Sequence, residues 1–350
     1  MRGSIKLFKI FGISINIHVT FFLLFLLVLP SGLKWVFLVF GVFFFVTVHE
    51  LCHSLVAKYF GINVSEITLL PIGGVASMAK IPEKPIQELL ISLAGPASNI
   101  AILVIFFFPM KYLLGDEILF HSLSAGTWKL AIAYLYWINL ALAGFNLLPA
   151  FPMDGGRVLR ALLATRMGYR KATKIAVNLG HVFALGFAYF GFVRLNIVLI
   201  VIAVFIYMAA SSEEMQVDVK EALKKFRVRD ILPTNFYTVK SNTTLAKVLE
   251  LVFHSHQEDF PVVDDGDAVG FATRQDIMAG VHRFGMNTMV KDVMRKDFPK
   301  VKDSDALMKV QNIMQVNNVR VLPVMRDNKV IGVITLEDIG RVYSMVSQKG

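Results

Sequence analysis

Cysteine is almost missing: Cys52 is the one thiol in 350 residues. No disulfide can form within the chain, which excludes a small fold held together by cross-links and fits a reducing compartment. Charge is also scarce. Asp, Glu, Lys and Arg make up 18% of the residues, against roughly 25% in an ordinary globular domain. Residues 1–214 hold only 9 of the 26 acids, with 16 of the 36 Lys/Arg. The net charge of +10 comes from no basic cluster interleaved with aromatics, so the sequence carries no nucleic-acid footprint. No glycine-rich phosphate loop occurs. No small-residue cleavage site follows the first apolar run, which therefore reads as a retained membrane segment rather than a signal peptide.

What fills the space is apolar: 55% of the residues are hydrophobic. The excess lies in residues 1 to about 212, and the remainder reads as a soluble α/β protein. The expected division is a transmembrane domain at 1–212, a linker at 213–227 and two repeats at 228–284 and 285–350. Six stretches approach the roughly 20 apolar residues that a crossing needs. They are 14–30, 34–58, 86–110, 128–148, 172–192 and 195–212. "PIGGV" at 71–75 and "LLPAFPMDGG" at 147–156 interrupt the pattern. Non-helical backbone survives at membrane depth only where protein or a water-filled cavity surrounds it. With the N-terminus inside, Arg2, Lys6, Lys9, Lys58, Lys80, Lys84, Arg157, Arg160, Arg166, Arg170, Lys171 and Lys174 fall on the inner side. Lys34, Lys111, Lys129 and Arg194 fall outside. The positive-inside bias and six crossings then put the C-terminal part in the cytoplasm.

That part is duplicated. "VRDIL" at 228–232 answers "VKDVM" at 290–294, "FPVV" at 260–263 answers "LPVM" at 322–325, and "GFATRQDI" at 270–277 answers "GVITLEDI" at 332–339, all at an offset of 62 residues. A constant offset over three blocks marks an internal repeat.

The chemistry concentrates in "FFFVTVHELCHSLVAKYF", residues 43–60. H-E-x-x-H on a helix puts two imidazoles one turn apart on one face, with a carboxylate beside them. His49 and His53 are thus candidate zinc ligands, and Glu50 is placed to take a proton from zinc-bound water. A catalytic zinc usually takes three protein ligands. Asp116 and Glu117 lie in a polar loop, and Glu66, Glu83 and Glu88 flank an inner segment. Asp154 follows a long apolar run, framed by Pro149, Pro152, Gly155 and Gly156. It is either the third ligand or a cap for the helix that starts near Arg157. The Pro/Gly framing favours the ligand, because a cap alone does not need it. Residues 65–78 are either an inner connecting loop or an extended edge for substrate. His18, His121 and His181 have no partner at metal spacing and read as interfacial or packed, as does Cys52. An ion transporter using the same three residues as relays would carry an inverted repeat and polar groups along several helices. The sequence has neither.

"HELCH", "PIGGV", "SLAGPASN" and "NLLPAFPMDGG" together resemble the site-2 protease family of intramembrane zinc metalloproteases, in its prokaryotic branch with a C-terminal cystathionine-β-synthase (CBS) domain pair. The resemblance implies a polytopic α-helical membrane protein of about six transmembrane helices with a cytoplasmic α/β CBS pair. It implies one zinc per chain on His49, His53 and Asp154, Glu50 as the catalytic carboxylate, and cleavage of membrane-protein substrates in regulated intramembrane proteolysis. It also implies Asn99 and Asn146 near the active centre, although either Asn could instead bond between helices. For the repeats it implies ATP or AMP in the cleft, with Thr273, Asp276, Thr335 and Asp338 on the ribose, and a homodimer through the CBS pair. Helix capping is the alternative role for those four. The implied location is a prokaryotic plasma membrane.

Overall fold

The computed structural model describes residues 3–71, 73–78, 84–121, 127–233, 236–255, 257–317, 319–327 and 329–347. Arg2, Ile72, Lys80 and Glu83 lie outside the described residues. The chain divides into two units, Met1–Glu214 and Met215–Gly350.

The first unit opens with strands β1 (Ser4–Ile10) and β2 (Ile13–His18) and the short helix α1 (Phe21–Val28), followed by a 3-10 turn. The expected crossing at 14–30 is therefore not one long helix. The reason lies in Ile13-Ser-Ile-Asn-Ile-His18, which alternates with period two, the signature of a half-buried strand. Ile13 and Ile15 are fully buried, each contributing about 2 kcal/mol of hydrophobic burial. Helix α2 (Leu33–Tyr59) follows, then β3 (Val64–Leu70) and β4 (Gly73–Met78). The stretch at 65–78 thus forms strands. The four strands make one sheet in the order β1-β2-β3-β4, with β2 and β3 parallel and the outer pairs antiparallel. Asn16 on β2 donates to Glu66 on β3 at 2.7 Å. Ile13, Ile15, Val64 and Ile67 pack with Ala57 of α2 and with Ile91, so the sheet braces the end of α2 beyond His53.

Helices α3 (Pro85–Leu114), α4 (Asp116–His121), α5 (Trp128–Asn146), α6 (Asp154–Met167), α7 (Tyr169–Val193) and α8 (Ile197–Lys225) complete the unit. Among the described residues five helices, α2, α3, α5, α7 and α8, are long and apolar enough to cross a membrane. Phe44, Val104, Phe108, Leu185, Phe192 and Val201 stand exposed along them, an apolar surface far too extensive for water. The protein is a multi-pass membrane protein. The segment expected as a linker at 213–227 is helical as far as Lys225. From Met215 on, α8 belongs to the second unit, where Val219 and Leu223, at i,i+4 spacing, pack in an apolar core.

The second unit repeats one motif: α9 (Leu245–His254), β5 (Phe260–Asp264), β6 (Asp267–Ala272) and α10 (Arg274–Phe284), then β7 (Val301–Lys302), α11 (Leu307–Asn317), β8 (Val321–Arg326), β9 (Lys329–Thr335) and α12 (Leu336–Ser347). The offset of 62 holds at every rung. Phe260 pairs with Ala272 as Leu322 pairs with Ile334, and both hairpins slip register at the same place, Val262/Val263 and Val324/Met325. The two repeats exchange segments. Val228 N–H bonds to Asp305 of the second repeat (3.0 Å), and Val290 N–H bonds to Thr243 of the first (2.9 Å). Accordingly Val228 lies in the second repeat's core and Val290 in the first's.

Candidate metal centre

The site begins with helix period. Residues 49 and 53 share a face of α2, and both residues are 5% exposed. Their rings meet edge to face, 4.7 Å between centroids. Helix α3 supplies the wall against them. Ile91 O lies 2.6 Å from His53 Nδ1, which directs Nε2 toward the site, the usual arrangement for a ligating imidazole. One turn on, Gly95 leaves room for the pair. A Cβ at that position would stand 2.3 Å from His53 Nε2 and 2.6 Å from His49 Nε2. Only glycine lets α3 approach so closely.

Asp154 arrives from another part of the chain, as the first residue of α6. The loop before it folds back over the helix start, so that a Cβ on Gly155 would strike the carbonyls of Leu147 and Leu148 at 2.3 Å. Met153, the residue at the cap position, makes no capping bond. Asp154 Oδ2 lies 3.1 Å from His49 Nε2 and 3.0 Å from His53 Nε2, and the two Nε2 atoms are 3.1 Å apart. Three electron-pair donors converge on one point, an arrangement that a cation between them stabilises. On a tetrahedral zinc with bonds of about 2.0–2.1 Å, two donors stand about 3.3 Å apart. The observed triangle is within a few tenths of that, and a two-His, one-carboxylate set is a known catalytic zinc type. The residues fit the ion.

Glu50 projects from the same turn as His49. Strand β4 packs on it: a Cβ on Gly74 would stand 2.7 Å from Glu50 Cγ. Asn99, one turn beyond Gly95, is fully buried, and its Nδ2 has no partner among the described residues. Asn146 ends α5 and donates to Leu142 O at 2.9 Å. His18 contacts Thr20 at 2.8 Å, and His181 stacks on Tyr207 and contacts Ser211. Gly95, Gly74 and the Ile91 carbonyl were not singled out by sequence reasoning, although Gly95 stands inside the quoted "SLAGPASN" and Gly74 inside "PIGGV".

In the second unit Thr273 and Asp276 form a capping box at the start of α10. Asp276 N–H donates to Thr273 Oγ1 at 3.2 Å, and Thr273 N–H returns to Asp276 Oδ2 at 3.2 Å. Thr335 and Asp338 repeat it at the start of α12, at 3.1 and 2.8 Å. Arg295 and Arg341 pair with the two aspartates. All four residues are engaged as caps.

Comparison with known proteins identifies the family. The model of peptidase family M50 matches residues 37–127 and 117–187, and that of the CBS domain matches 228–283 and 290–344. A zinc metalloprotease of Methanocaldococcus jannaschii is 36% identical over 354 residues, spanning 100% of this chain and 98% of the relative. Stage IV sporulation protein FB of Bacillus subtilis is 28% identical over 141 residues, 40% of this chain and 45% of that protein. The solved site-2 protease from Methanocaldococcus jannaschii is 41% identical, covering 60% of this chain and 95% of that one, with a TM-score of 0.46. The chain belongs to peptidase family M50, as a site-2-protease-type zinc metalloendopeptidase of the membrane with a C-terminal CBS domain pair.

Proposed function

We propose that this protein hydrolyses a peptide bond in or near the transmembrane segment of a membrane-protein substrate, as a step of regulated intramembrane proteolysis. The observation that carries the reading is the convergence of His49, His53 and Asp154 against an apolar helix, with Glu50 beside them. These three residues hold one zinc per chain. When bound, zinc polarises the scissile carbonyl and acidifies water. Glu50 takes the proton of the attacking water and delivers it to the leaving amine. The substrate, unwound locally, adds as a strand to β4, with which no further strand pairs among the described residues. Its strand then runs beside Glu50, because Gly74 brings β4 against that side chain. Asn99 and Asn146 serve the substrate backbone or the developing oxyanion. The unpartnered, buried amide of Asn99 is the kind of preorganised donor that task requires.

The test is Glu50→Gln in the full chain, reconstituted with a transmembrane substrate. Zinc is expected to stay near one equivalent while cleavage falls by about 10²-fold or more. A variant that cuts at the wild-type rate overturns the mechanism, and metal flux into liposomes without cleavage would favour a transporter instead.

For the second unit we propose ATP or AMP between the repeats, with Thr273, Asp276, Thr335 and Asp338 sharing their capping groups with the ribose, and assembly of two chains through the CBS pair. Unchanged nucleotide affinity in Thr335→Ala would remove the ribose role, and a monomer in native mass spectrometry would remove the dimer. The location is a prokaryotic plasma membrane; the distribution of Lys and Arg supports a cytoplasmic CBS unit, and the N-terminus shares that side if the short apolar stretch Phe21–Ser31 makes a sixth crossing, as the pairing of β2 with β3 at the far end of α2 requires. Labelling of a cysteine introduced at Lys111 by an impermeant reagent from outside the cell tests that orientation.

A further inference from the structure

A buried ionic network stands beside the metal centre and takes no part in the chemistry above. Arg160 of α6 is 3% exposed. Its Nε donates to Glu88 Oε1 of α3 at 2.8 Å, its Nη2 donates to the same oxygen, and its Nη1 reaches Glu213 Oε2 of α8 at 3.2 Å. Arg157 donates to the other oxygen of Glu213 at 3.3 Å, and Tyr169 OH donates to Glu88 at 3.4 Å. The Arg160 guanidinium lies between two rings, 4.6 Å from that of Phe151 and 4.7 Å from that of Tyr169.

Helix geometry says what these contacts hold. Asp154, Arg157 and Arg160 follow at three-residue steps, so each is the surface neighbour of the next along α6. On α3, Glu88, Ile91 and Gly95 stand at i, i+3 and i+7, on one face. Ile91 fixes His53 through its carbonyl, and Gly95 seats the imidazole pair. The Arg160–Glu88 contact therefore joins the row that begins with the aspartate to the face that orients the histidines. Phe151 adds the loop: its ring stacks on Arg160, and its N–H bonds to Ala176 O of α7 at 3.2 Å. Stability alone does not explain the buried Arg160–Glu88 pair, with Glu213 and Arg157 half-buried around it, because apolar replacements of such pairs are often as stable or more so. A guanidinium fork does what apolar packing does not, since it fixes rotation as well as distance.

We infer that Arg160 and Glu88 are positioning residues, which set the rotation and depth of α6 so that Asp154 meets His49 and His53 at bonding distance from one metal ion. The inference rests on Asp154 as the third ligand. The experiment measures zinc affinity by chelator competition, and the ligand-field spectrum of the Co2+ form, on the full chain in detergent. The variants are Arg160→Met, Arg160→Lys, Glu88→Gln and Asp154→Ala. The Arg160 and Glu88 variants are expected to lose about 10- to 100-fold in affinity, the usual effect of a residue behind a metal ligand, with a shifted Co2+ spectrum. Arg160→Lys, which keeps the charge without the fork, recovers less than the wild-type affinity. Folded variants that only melt earlier, with wild-type affinity and spectrum, overturn the inference. If Arg160→Met does not fold, Arg160→Lys and Glu88→Gln decide on the same criterion. Asp154→Ala separates the two readings. Wild-type affinity there sinks the ligand assignment itself, whereas its loss beside intact Arg160 and Glu88 variants sinks only the positioning.

Discussion

Asp154, Asp276 and Asp338 all stand in the first turns of α-helices, and the two units use them differently. In the CBS unit Asp276 and Asp338 occupy the third position of α10 and α12, each closing a capping box with a threonine three residues back. The bond is local and serves the helix itself. In the membrane unit Asp154 is the first residue of α6, behind a methionine that caps nothing. Its carboxylate leaves the helix and meets side chains 101 and 105 residues away in sequence. An acid is favoured at a helix N-terminus in both cases. The cap beside it decides whether the carboxylate is consumed locally or left over to reach something distant.

The widest gap between the two uses is expected in paired alanine variants. Asp154→Ala should weaken zinc binding by more than about 100-fold, beyond the effect of residues that merely support ligands. Asp276→Ala should leave zinc affinity alone and lower stability by about 1 kcal/mol, the usual cost of a lost cap. Chelator competition and thermal melting on both variants read the two effects. If Asp154→Ala loses only a cap's worth of stability, the distinction collapses.

A second comparison sets Gly95 against Gly144. Gly95→Ala forces a Cβ to within 2.3 Å of His53 Nε2, and zinc affinity should fall about tenfold or more. Gly144→Ala meets nothing within 4 Å and should stabilise α5 by up to about 1 kcal/mol. Equal zinc affinities in the two would show that α3 yields without disturbing the histidines.

The smallest effect lies between the repeats. Asp264 accepts from Ser241 N–H at 3.0 Å. At the equivalent positions, 62 residues on, Asp303 pairs with Arg326. The hydrogen bonds from Ser241 hold the Asp264 carboxyl below the usual carboxylate range, and the Arg326 guanidinium does the same for Asp303. Both are depressed in the folded state, so their stabilisation is present above the ordinary pKa of about 4 and is lost as pH falls below it. The Asp303 share should shrink in high salt and the Asp264 share should not. Acid melts of Asp264→Asn and Asp303→Asn at two salt concentrations check this, and equal salt sensitivity would contradict it.

The readable parts of this chain are those with local period. His49, Glu50 and His53 lie within five residues, and the 62-residue repeat is written in three blocks. Asp154 stood out because acids are rare around it, and the structure brings it to both histidines. The first strand pair was hidden because Ile13, Ile15 and Ile17 are apolar enough to pass as a membrane helix when averaged with the phenylalanines after them. Only the alternation separates the two readings. The Arg160–Glu88 contact joins residues 72 apart, and the fit of Gly95 depends on two helices meeting. Neither leaves a local pattern, although a Glu and an Arg beside apolar helices were themselves a clue to buried pairing.

The exchange of Val228 and Val290 between the repeats has a consequence for where the chain can be divided. A cut after residue 284 falls between two sequence repeats yet leaves each piece without a strip of its own interior. The first piece loses Val290 and keeps Val228, which belongs inside the other. Two such fragments should be soluble and ordered only when mixed. The smallest heritable unit of this region is therefore the pair, and single repeats should not be found as free-standing proteins built on the same plan.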